Sequence, residues 1–223
     1  MRSRVSFPFS TIGTKILIAI TGLAMFLFLI VHMAANLLLF VGPDVYNGYS
    51  HKLISNPLIY VAEAGLVLLF IVHVFNAVTN WAKNRGARPV GYTKKAWAGH
   101  TSRKTVASST MIYTGVVIFV FTVLHLVTFK YGPWYETTHD GQTMRDLYTL
   151  VVEVFRQPIY VVGYTVVMAL VFLHLRHGVS SAFQSLGWNH PRYNRLILGF
   201  GYLFAVLIGA GFALPPIWIY FTK

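Results

Sequence analysis

Four histidines interrupt long apolar runs of this 223-residue chain: His32, His73, His125 and His174. An ionisable side chain at bilayer depth is costly, so each of the four is a candidate for function. Imidazole is a common metal ligand, whereas a single buried histidine can equally serve as a hydrogen-bond partner between helices. Four histidines in a matched pattern are harder to explain as helix contacts and favour metal ligation.

The pattern around these histidines repeats between the two halves of the chain. A Thr-Gly pair precedes the first and the third histidine, with the glycine ten residues upstream in both cases. A proline precedes the second and the fourth histidine by sixteen residues. The repeated residues are Thr21-Gly22, Thr114-Gly115, Pro57 and Pro158. This weak internal repeat predicts two bis-histidine metal centres.

The composition limits what those centres can be. The chain is 56% hydrophobic and only 11% charged, which is typical of a helical membrane protein rather than a soluble domain. It has no cysteine, which excludes disulfides, iron–sulfur ligands, thiolate zinc sites and covalent haem attachment. Any haem would therefore be held non-covalently.

Five apolar segments are long enough to cross a bilayer, which takes about 20 helical residues. Because backbone in lipid must satisfy its own hydrogen bonds, we expect an all-α membrane protein, a five-helix bundle forming one domain over residues 1–223. The predicted spans cover about residues 12–40, 57–82, 105–129, 158–183 and 196–221. In the last span, Gly201, Ala205 and Gly209 follow a small-residue pattern that predicts close helix packing.

Basic residues mark one side of the predicted bundle. Thirteen of the eighteen Lys and Arg residues fall in the N-terminal arm and in the second-to-third and fourth-to-fifth connections. The positive-inside rule then places the N-terminus in the cytoplasm. This orientation, with contact to anionic lipid, explains most of the net charge of +12 without nucleic acid. Between the third and fourth spans, a helical apolar period predicts an amphipathic helix over about 143–156 at the outer interface.

The orientation converts the histidine spacing into depth. His32 and His125 share an outer level, and His73 and His174 share an inner level. Eleven residues at 1.5 Å each separate the two levels by roughly 16 Å. Two histidines at one depth on different helices suit axial coordination of a b-type haem, whereas they make an incomplete zinc shell. With both axial positions filled by imidazole, each of two stacked haems would be built for electron transfer.

The histidines and their surroundings resemble a known family, the five-helix, two-haem cytochrome b subunit of bacterial succinate dehydrogenase and quinol:fumarate reductase. The motifs are Thr21-Gly22 through Ile30-Val31-His32-Met33, Ile71-Val72-His73, Thr114-Gly115 through Leu124-His125-Leu126, and Leu173-His174 through Ser185-Leu186-Gly187-Trp188. The resemblance extends over essentially the whole chain. It implies that His32 and His125 ligate the outer haem iron and that His73 and His174 ligate the inner one.

The same resemblance implies partners and a cellular location. An iron–sulfur subunit would dock on the cytoplasmic face of the bacterial cytoplasmic (inner) membrane and would carry an FAD-containing flavoprotein. Association of several such complexes into a higher oligomer is left open. Electrons would pass from succinate through both haems to a quinone, with menaquinone the expected species. Phe172 occupies a position where a fumarate-reducing relative has glutamate, and the chain has no acid between Asp44 and Glu63. Both departures favour succinate oxidation.

Further contacts are predicted for the quinone and for the haem propionates. Quinone carbonyls need polar donors in an apolar cleft, and the candidates near the outer level are His51, Lys52, Asn56 and Glu63. For Lys52 and Asn56 the alternative is an ordinary loop and helix start. Candidates for the propionates are His177, Ser108, Ser109 and Ser180, all of which could equally be helix-packing or interfacial residues. His177 follows His174 by three residues, and the spacing from Pro158 favours His174 as the ligand.

Two other functions remain open from the sequence. The chain could be the dihaem cytochrome b subunit of another quinone-linked oxidoreductase, although such anchors generally cluster their ligands on fewer helices. It could instead be a transporter that relays protons through histidines, which would need intramembrane carboxylates where only Glu63 is available.

Overall fold

The computed structural model describes residues 10–87, 105–188 and 190–223. The elements in chain order are α1 (Thr11–Leu37), α2 (Pro43–Ile54), α3 (Leu58–Gly86), α4 (Val106–His125), β1 (Glu136–His139), β2 (Gln142–Arg145), α5 (Leu147–Phe155), α6 (Pro158–Ser185) and α7 (Asn194–Thr222). A 3₁₀ turn (Leu38–Phe40) extends α1, and a π-helical turn (Leu126–Lys130) extends α4. Seven of the basic residues used for the orientation lie outside the described residues: Arg2, Arg4, Arg88, Lys94, Lys95, Arg103 and Lys104.

Five of these helices are long and apolar enough to cross a membrane, as the sequence predicts: α1, α3, α4, α6 and α7. Their starts carry ordinary helix signals. Ser10 accepts a hydrogen bond from the backbone N–H of Gly13 at the start of α1. Thr105 and Ser108 form a capping box at the start of α4, and α6 opens with Pro158. The chain is therefore a multi-pass membrane protein by length and composition of its helices.

Four of the long helices stand in a ring. Helix α1 packs against α3 and α6, and α4 packs against α6 and, more sparingly, α3. Phe70 of α3 stacks on Phe119 of α4, with ring centroids 5.7 Å apart. Because α1 and α4 each contact both other helices, α1 stands diagonally across from α4, and α3 stands diagonally across from α6.

The fifth helix, α7, packs outside this ring on α6 and α1. Its small residues make the contact: Ala205 is fully buried, and a Cβ at Gly209 would lie 3.2 Å from Cβ of Phe172 on α6. The predicted packing role of this small-residue stripe is confirmed.

The outer connection between α4 and α6 differs from the predicted amphipathic helix over about 143–156. Residues 142–145 form a strand that pairs with β1, and α5 begins only at Leu147. The cause is the two-residue turn Asp140-Gly141, where both residues have positive φ, as the tightest antiparallel hairpins require. Helix α5 is also less exposed than expected, since five of its nine residues are buried against neighbouring helices.

A polar clasp fastens α5 to α2. Asn47 of α2 is only 2% exposed; its amide donates to Asp146 (2.8 Å), and its carbonyl accepts from the backbone N–H of Tyr148 (2.9 Å). Asp146 caps α5 by accepting from the backbone N–H and the hydroxyl of Thr149. Burial acts to raise the pKa of Asp146, but the hydrogen bonds from Thr149 and Asn47 outweigh it and hold that pKa below its usual value.

Candidate functional site

His73 of α3 is held by the first Thr-Gly pair, on α1. Its Nδ1 lies 3.2 Å from Oγ1 of Thr21 and 3.2 Å from the carbonyl oxygen of Ile18. A carbonyl can only accept, so Nδ1 carries the proton. The Thr21 hydroxyl donates to the carbonyl of Leu17 (2.6 Å), which leaves its oxygen to accept from His73. Nε2 of His73 is then the nitrogen with a lone pair available to a metal.

His174 of α6 is held in the same way by the second Thr-Gly pair, on α4. Its Nδ1 lies 3.1 Å from Oγ1 of Thr114, and that hydroxyl in turn donates to the carbonyl of Met111 (3.1 Å). Thr114 is 4% exposed and Thr21 5%, so both contacts are made inside the helix packing. His174 thus has the same kind of threonine contact as His73, and its role as the ligand in place of His177 stays a prediction.

The glycines of the two pairs let the histidines approach the neighbouring helix. A Cβ at Gly22 would lie 3.1 Å from Cε1 of His73, and a Cβ at Gly115 would lie 3.6 Å from Cε1 of His174. In sequence each Thr-Gly pair precedes a histidine on its own helix. In the structure it serves the histidine of the next long helix, because α1 packs on α3 and α4 packs on α6.

These contacts define two levels along the bundle. His73 lies level with Thr21, which is eleven residues before His32 on α1, and His174 lies level with Thr114, eleven residues before His125 on α4. At 1.5 Å per residue the two levels are roughly 16 Å apart. His73 and His174 belong to the diagonally opposed helices α3 and α6.

At the other level the rings of His32 and His125 are neighbours in an edge-on arrangement. Their ring centroids are 5.9 Å apart and their planes are 84° apart. Two imidazoles on opposite sides of one metal, with bonds of about 2.0–2.1 Å, have centroids roughly 6 Å apart. Nδ1 of His125 lies 3.2 Å from the hydroxyl of Tyr164, and His32 stacks on Phe28. The donors present therefore fit an axial bis-imidazole centre.

The ring nitrogens that make hydrogen bonds are also compatible with metal ligation through Nε2. In the part of the chain that the structure describes, none of the four histidines uses Nε2 in a hydrogen bond, and three of them engage Nδ1. Metal-bound histidines almost always hold their second ring nitrogen in such an outer hydrogen bond. Across residues 10–87, 105–188 and 190–223, no three His, Cys, Asp or Glu side chains come together as a metal-binding group.

The serines predicted to meet haem propionates already use their hydroxyl protons. Ser108 and Ser109 both donate to the carbonyl of Thr105 at 2.9 Å. Ser180 donates to the carbonyl of His177 (3.1 Å) and packs against Gly201 of α7. A carboxylate needs donors, so each serine would have to exchange its present bond. Their role, with that of His177, stays a prediction.

The predicted quinone residues lie at the end of α2 and around the start of α3. Glu63 forms an ion pair with Lys130, at the end of the π-helical turn. The side-chain oxygen of Asn56 accepts a hydrogen bond from the backbone N–H of Leu58 (3.0 Å). This contact is typical of an ordinary residue at the start of a helix. His51 approaches Ser55 at 3.5 Å, and Lys52 is exposed. Their binding of quinone stays a prediction.

Sequence reasoning missed Tyr164 as the partner of His125, since nothing in its spacing marks it. The fold and this site define a multi-pass helical membrane protein with four histidines at two levels. Comparison of the chain with models of protein families, with curated proteins and with solved structures finds no match.

Proposed function

We propose that this chain is the membrane-anchor dihaem cytochrome b subunit of a succinate:quinone oxidoreductase. It would take electrons from an iron–sulfur subunit, which carries a flavoprotein, and deliver them to a quinone, with menaquinone the expected species. The observation that carries the proposal is the pairing of His32 with His125 at 5.9 Å, at a level separate from His73 and His174. A haem bound between two imidazoles supplies reversible one-electron transfer.

At the inner level the chain's task is to fix ring orientation and tautomer. Thr21 and Thr114 accept the Nδ1 protons of His73 and His174, so that Nε2 points away from the supporting helix. Acceptance of that proton also raises the basicity of the ligating nitrogen. Because each threonine donates its own proton to the preceding turn, it can act towards histidine only as an acceptor.

At the outer level aromatic rings surround the histidines. Phe28 stacks on His32, and Phe121 stacks on His125 at 5.7 Å. Tyr164 gives His125 a polar partner within this apolar setting. His32 and His125 would hold the outer haem, and these ring contacts would restrict the orientation of their imidazoles. Filled axial positions favour electron transfer over oxygen chemistry.

The two levels support a role across the membrane. Electron movement over roughly 16 Å along the bundle displaces charge through about half of the hydrocarbon thickness of roughly 30 Å. Each full charge crossing is worth about 2.3 kcal/mol per 100 mV of membrane potential, which could assist succinate oxidation by a low-potential quinone.

The alternatives receive less support. A proton-relaying transporter needs carboxylates near its histidines, but Glu63 is paired with Lys130. A dihaem subunit of another quinone-linked oxidoreductase generally clusters its ligands on fewer helices, whereas here α1, α3, α4 and α6 contribute one histidine each. Quinol:fumarate reductase would share the histidine geometry. The rates of succinate-dependent quinone reduction and of quinol-dependent fumarate reduction, measured in membranes that hold the whole complex, separate these. A succinate:quinone oxidoreductase should be faster in the first direction, and an unrelated quinone-linked enzyme should show neither.

The first test is a dithionite-reduced minus oxidised spectrum of the purified protein with its haem stoichiometry. We expect two b-type haems per chain. Alanine at His73 or His174 should remove one, and alanine at His32 or His125 the other. His190→Ala, at an exposed histidine between α6 and α7, is the control and should retain both. Lack of a b-type spectrum in the purified protein would refute the proposal.

A further inference from the structure

Arg176 of α6 places a positive charge on the exposed surface of two membrane-length helices. Its side chain is exposed, and its guanidinium lies over the ring of Tyr202 on α7, with Cζ 5.6 Å from the ring centroid. Within the part of the chain that the structure describes, the guanidinium makes no ion pair. A cation–π contact at an exposed site is worth only about 0.5–1 kcal/mol and leaves the N–H donors of the guanidinium unused.

This charge lies inside the hydrocarbon when the bundle is centred in a bilayer. The end of the bundle nearer to His73 and His174 is called the inner end below. Arg176 is nine residues before the end of α6, and Tyr202 is eight residues after the start of α7, so both are roughly 12–14 Å from the inner ends of their helices. Helices of 28 and 29 residues are roughly 42–44 Å long and extend about 6–7 Å beyond each side of a hydrocarbon layer of about 30 Å. The backbone of Arg176 is then about 6 Å inside the layer, a distance that an arginine side chain can span to reach the interface.

The chain has no carboxylate that could neutralise Arg176. Its acidic side chains number six, and all of them belong to the opposite end of the bundle: Asp44, Glu63, Glu136, Asp140, Asp146 and Glu153. The first is in α2, the second is near the start of α3, and the others lie between α4 and α6. An unpaired cation in hydrocarbon is costly. The counter-ion of Arg176 must therefore come from outside the chain.

A second cation and an open surface lie beside Arg176. Arg195, Gly199 and Tyr202 follow one another on the same face of α7, at spacings of four and three residues. Arg195 is exposed and is two turns nearer to the inner end than Tyr202. A Cβ at Gly199 would meet no atom within 4 Å, so the helix surface between Arg195 and Tyr202 is open.

The same faces become apolar towards the middle of the membrane. Phe172, one turn outward from Arg176, packs edge-on against Tyr202 with ring centroids 6.0 Å apart. Further outward, Ala169 of α6 and Val206 of α7 are exposed. Two cations at the interface, followed by an apolar seam, match a molecule with an anionic head and an apolar tail. A single carboxylate from a partner helix would neutralise one arginine and leave the other unpaired.

We propose that the inner half of the α6–α7 seam binds an anionic phospholipid. Arg176 and Arg195 contact its phosphodiester, the headgroup lies over Gly199, and an acyl chain follows Phe172 and Val206. Arginine suits this task because its planar guanidinium can donate two parallel hydrogen bonds to phosphate. The site goes beyond the proposed function and does not depend on haem.

The experiment is native mass spectrometry of the purified full chain in a non-ionic detergent, titrated with phosphatidylglycerol or phosphatidylcholine. We expect one tightly bound phosphatidylglycerol per chain, a clear preference over phosphatidylcholine, and no displacement by inorganic phosphate. Arg176→Gln should weaken the binding of phosphatidylglycerol about tenfold or more, because hydrogen bonds between charged groups are lost. Arg195→Gln, nearer to the membrane surface, should weaken it about fivefold.

Arg85→Gln is the matched charge control. Arg85 is an exposed arginine at the inner end of α3, and its guanidinium likewise lies over an aromatic ring, that of Trp81, at 5.7 Å. Its loss removes the same charge and the same kind of contact but should leave the tightly bound lipid at the parent affinity. Equal weakening by Arg85→Gln and Arg176→Gln would show that only general surface charge attracts the lipid, and would overturn the proposal.

A steric variant tests the site without a change of charge. Gly199→Leu fills the open surface between Arg195 and Tyr202 and should weaken binding as Arg176→Gln does. Gly163→Leu is its control, since a Cβ at Gly163 also meets nothing within 4 Å but the residue lies near the outer start of α6. Parent affinity in both Arg176→Gln and Gly199→Leu would refute the lipid site and leave a carboxylate of a partner protein as the counter-ion. Displacement of the lipid by inorganic phosphate, or equal affinity for phosphatidylcholine, would also refute it.

Discussion

Thr114→Val and Thr21→Val are equivalent substitutions in the two halves of the chain, yet we expect unequal effects on the inner haem. Valine keeps the shape of threonine and removes only the hydroxyl. Within the described residues, Thr114 is the sole hydrogen-bond acceptor for Nδ1 of His174. Nδ1 of His73 keeps a second acceptor, the Ile18 carbonyl at 3.2 Å, when the Thr21 hydroxyl is lost.

The magnitudes follow from what each histidine loses. A buried donor left without a partner costs about 1–3 kcal/mol, which corresponds to roughly 5- to 150-fold in affinity. Loss of an outer partner of a metal ligand typically costs about 10–100-fold, in the same range. For Thr21→Val only part of a shared bond is lost, so about 0.5–1 kcal/mol, or roughly two- to fivefold, is expected.

The assay is the rate of haem transfer from the purified protein to excess apomyoglobin, followed in the Soret band. Thr122→Val is the matched control, because the Thr122 hydroxyl is on the same helix as Thr114 and donates only to the carbonyl of Ile118 (2.8 Å). It should release haem at the parent rate. Equal rates for Thr114→Val and Thr122→Val, or a larger effect at Thr21, would refute the reasoning.

Four further substitutions test the contacts around the site and the hydrogen bonds between α2 and α5. Gly22→Ala should speed haem release severalfold because the new Cβ presses on His73 at 3.1 Å, whereas Gly115→Ala, at 3.6 Å, should leave it near the parent rate. If His125 ligates through Nε2, its Nδ1 carries the ring proton and the Tyr164 hydroxyl accepts it at 3.2 Å. Tyr164→Phe removes this acceptor, and a lost bond of about 0.5–1.5 kcal/mol should raise the outer haem potential by roughly 20–60 mV in a redox titration. An unchanged potential would contradict this placement of the proton. The pKa of Asp146 is lower in the folded chain than in the unfolded chain. The ionised carboxylate therefore stabilises the fold fully at a pH above the unfolded-state pKa of about 3.9, and this stabilisation is lost as the pH falls through the folded-state pKa. Asp146→Asn should therefore lower the melting temperature in detergent at pH 7 and lose that effect towards pH 3; a pH-independent difference would show that the charge is not the cause.

The hairpin that precedes α5 could have been predicted from the dipeptide Asp140-Gly141. Asp140-Gly141 supplies two residues that tolerate positive φ, and both adopt it. The hairpin then delays the start of α5 to Leu147. The helical apolar period across 143–156 predicted the helix correctly for residues 147–155. It predicted the wrong structure for the residues before them, because strand pairing and turn geometry outweigh the period there. Tyr164, in contrast, carries no mark in the sequence that separates it from any aromatic residue in a span.

The sequence by itself determined the five membrane-length helices and the choice of four histidines, because apolar runs in lipid have to close their hydrogen bonds as helices and polar residues there are costly. Which helix each Thr-Gly pair would serve was decided only by the tertiary structure. Periodicity gives the face of a helix and not its neighbour, and the ring order that sets α1 against α3 and α4 against α6 depends on packing of the whole bundle. In the sequence Thr21 and Thr114 only mark a repeat. In the folded bundle this helix order places them against His73 and His174, whose imidazoles they orient.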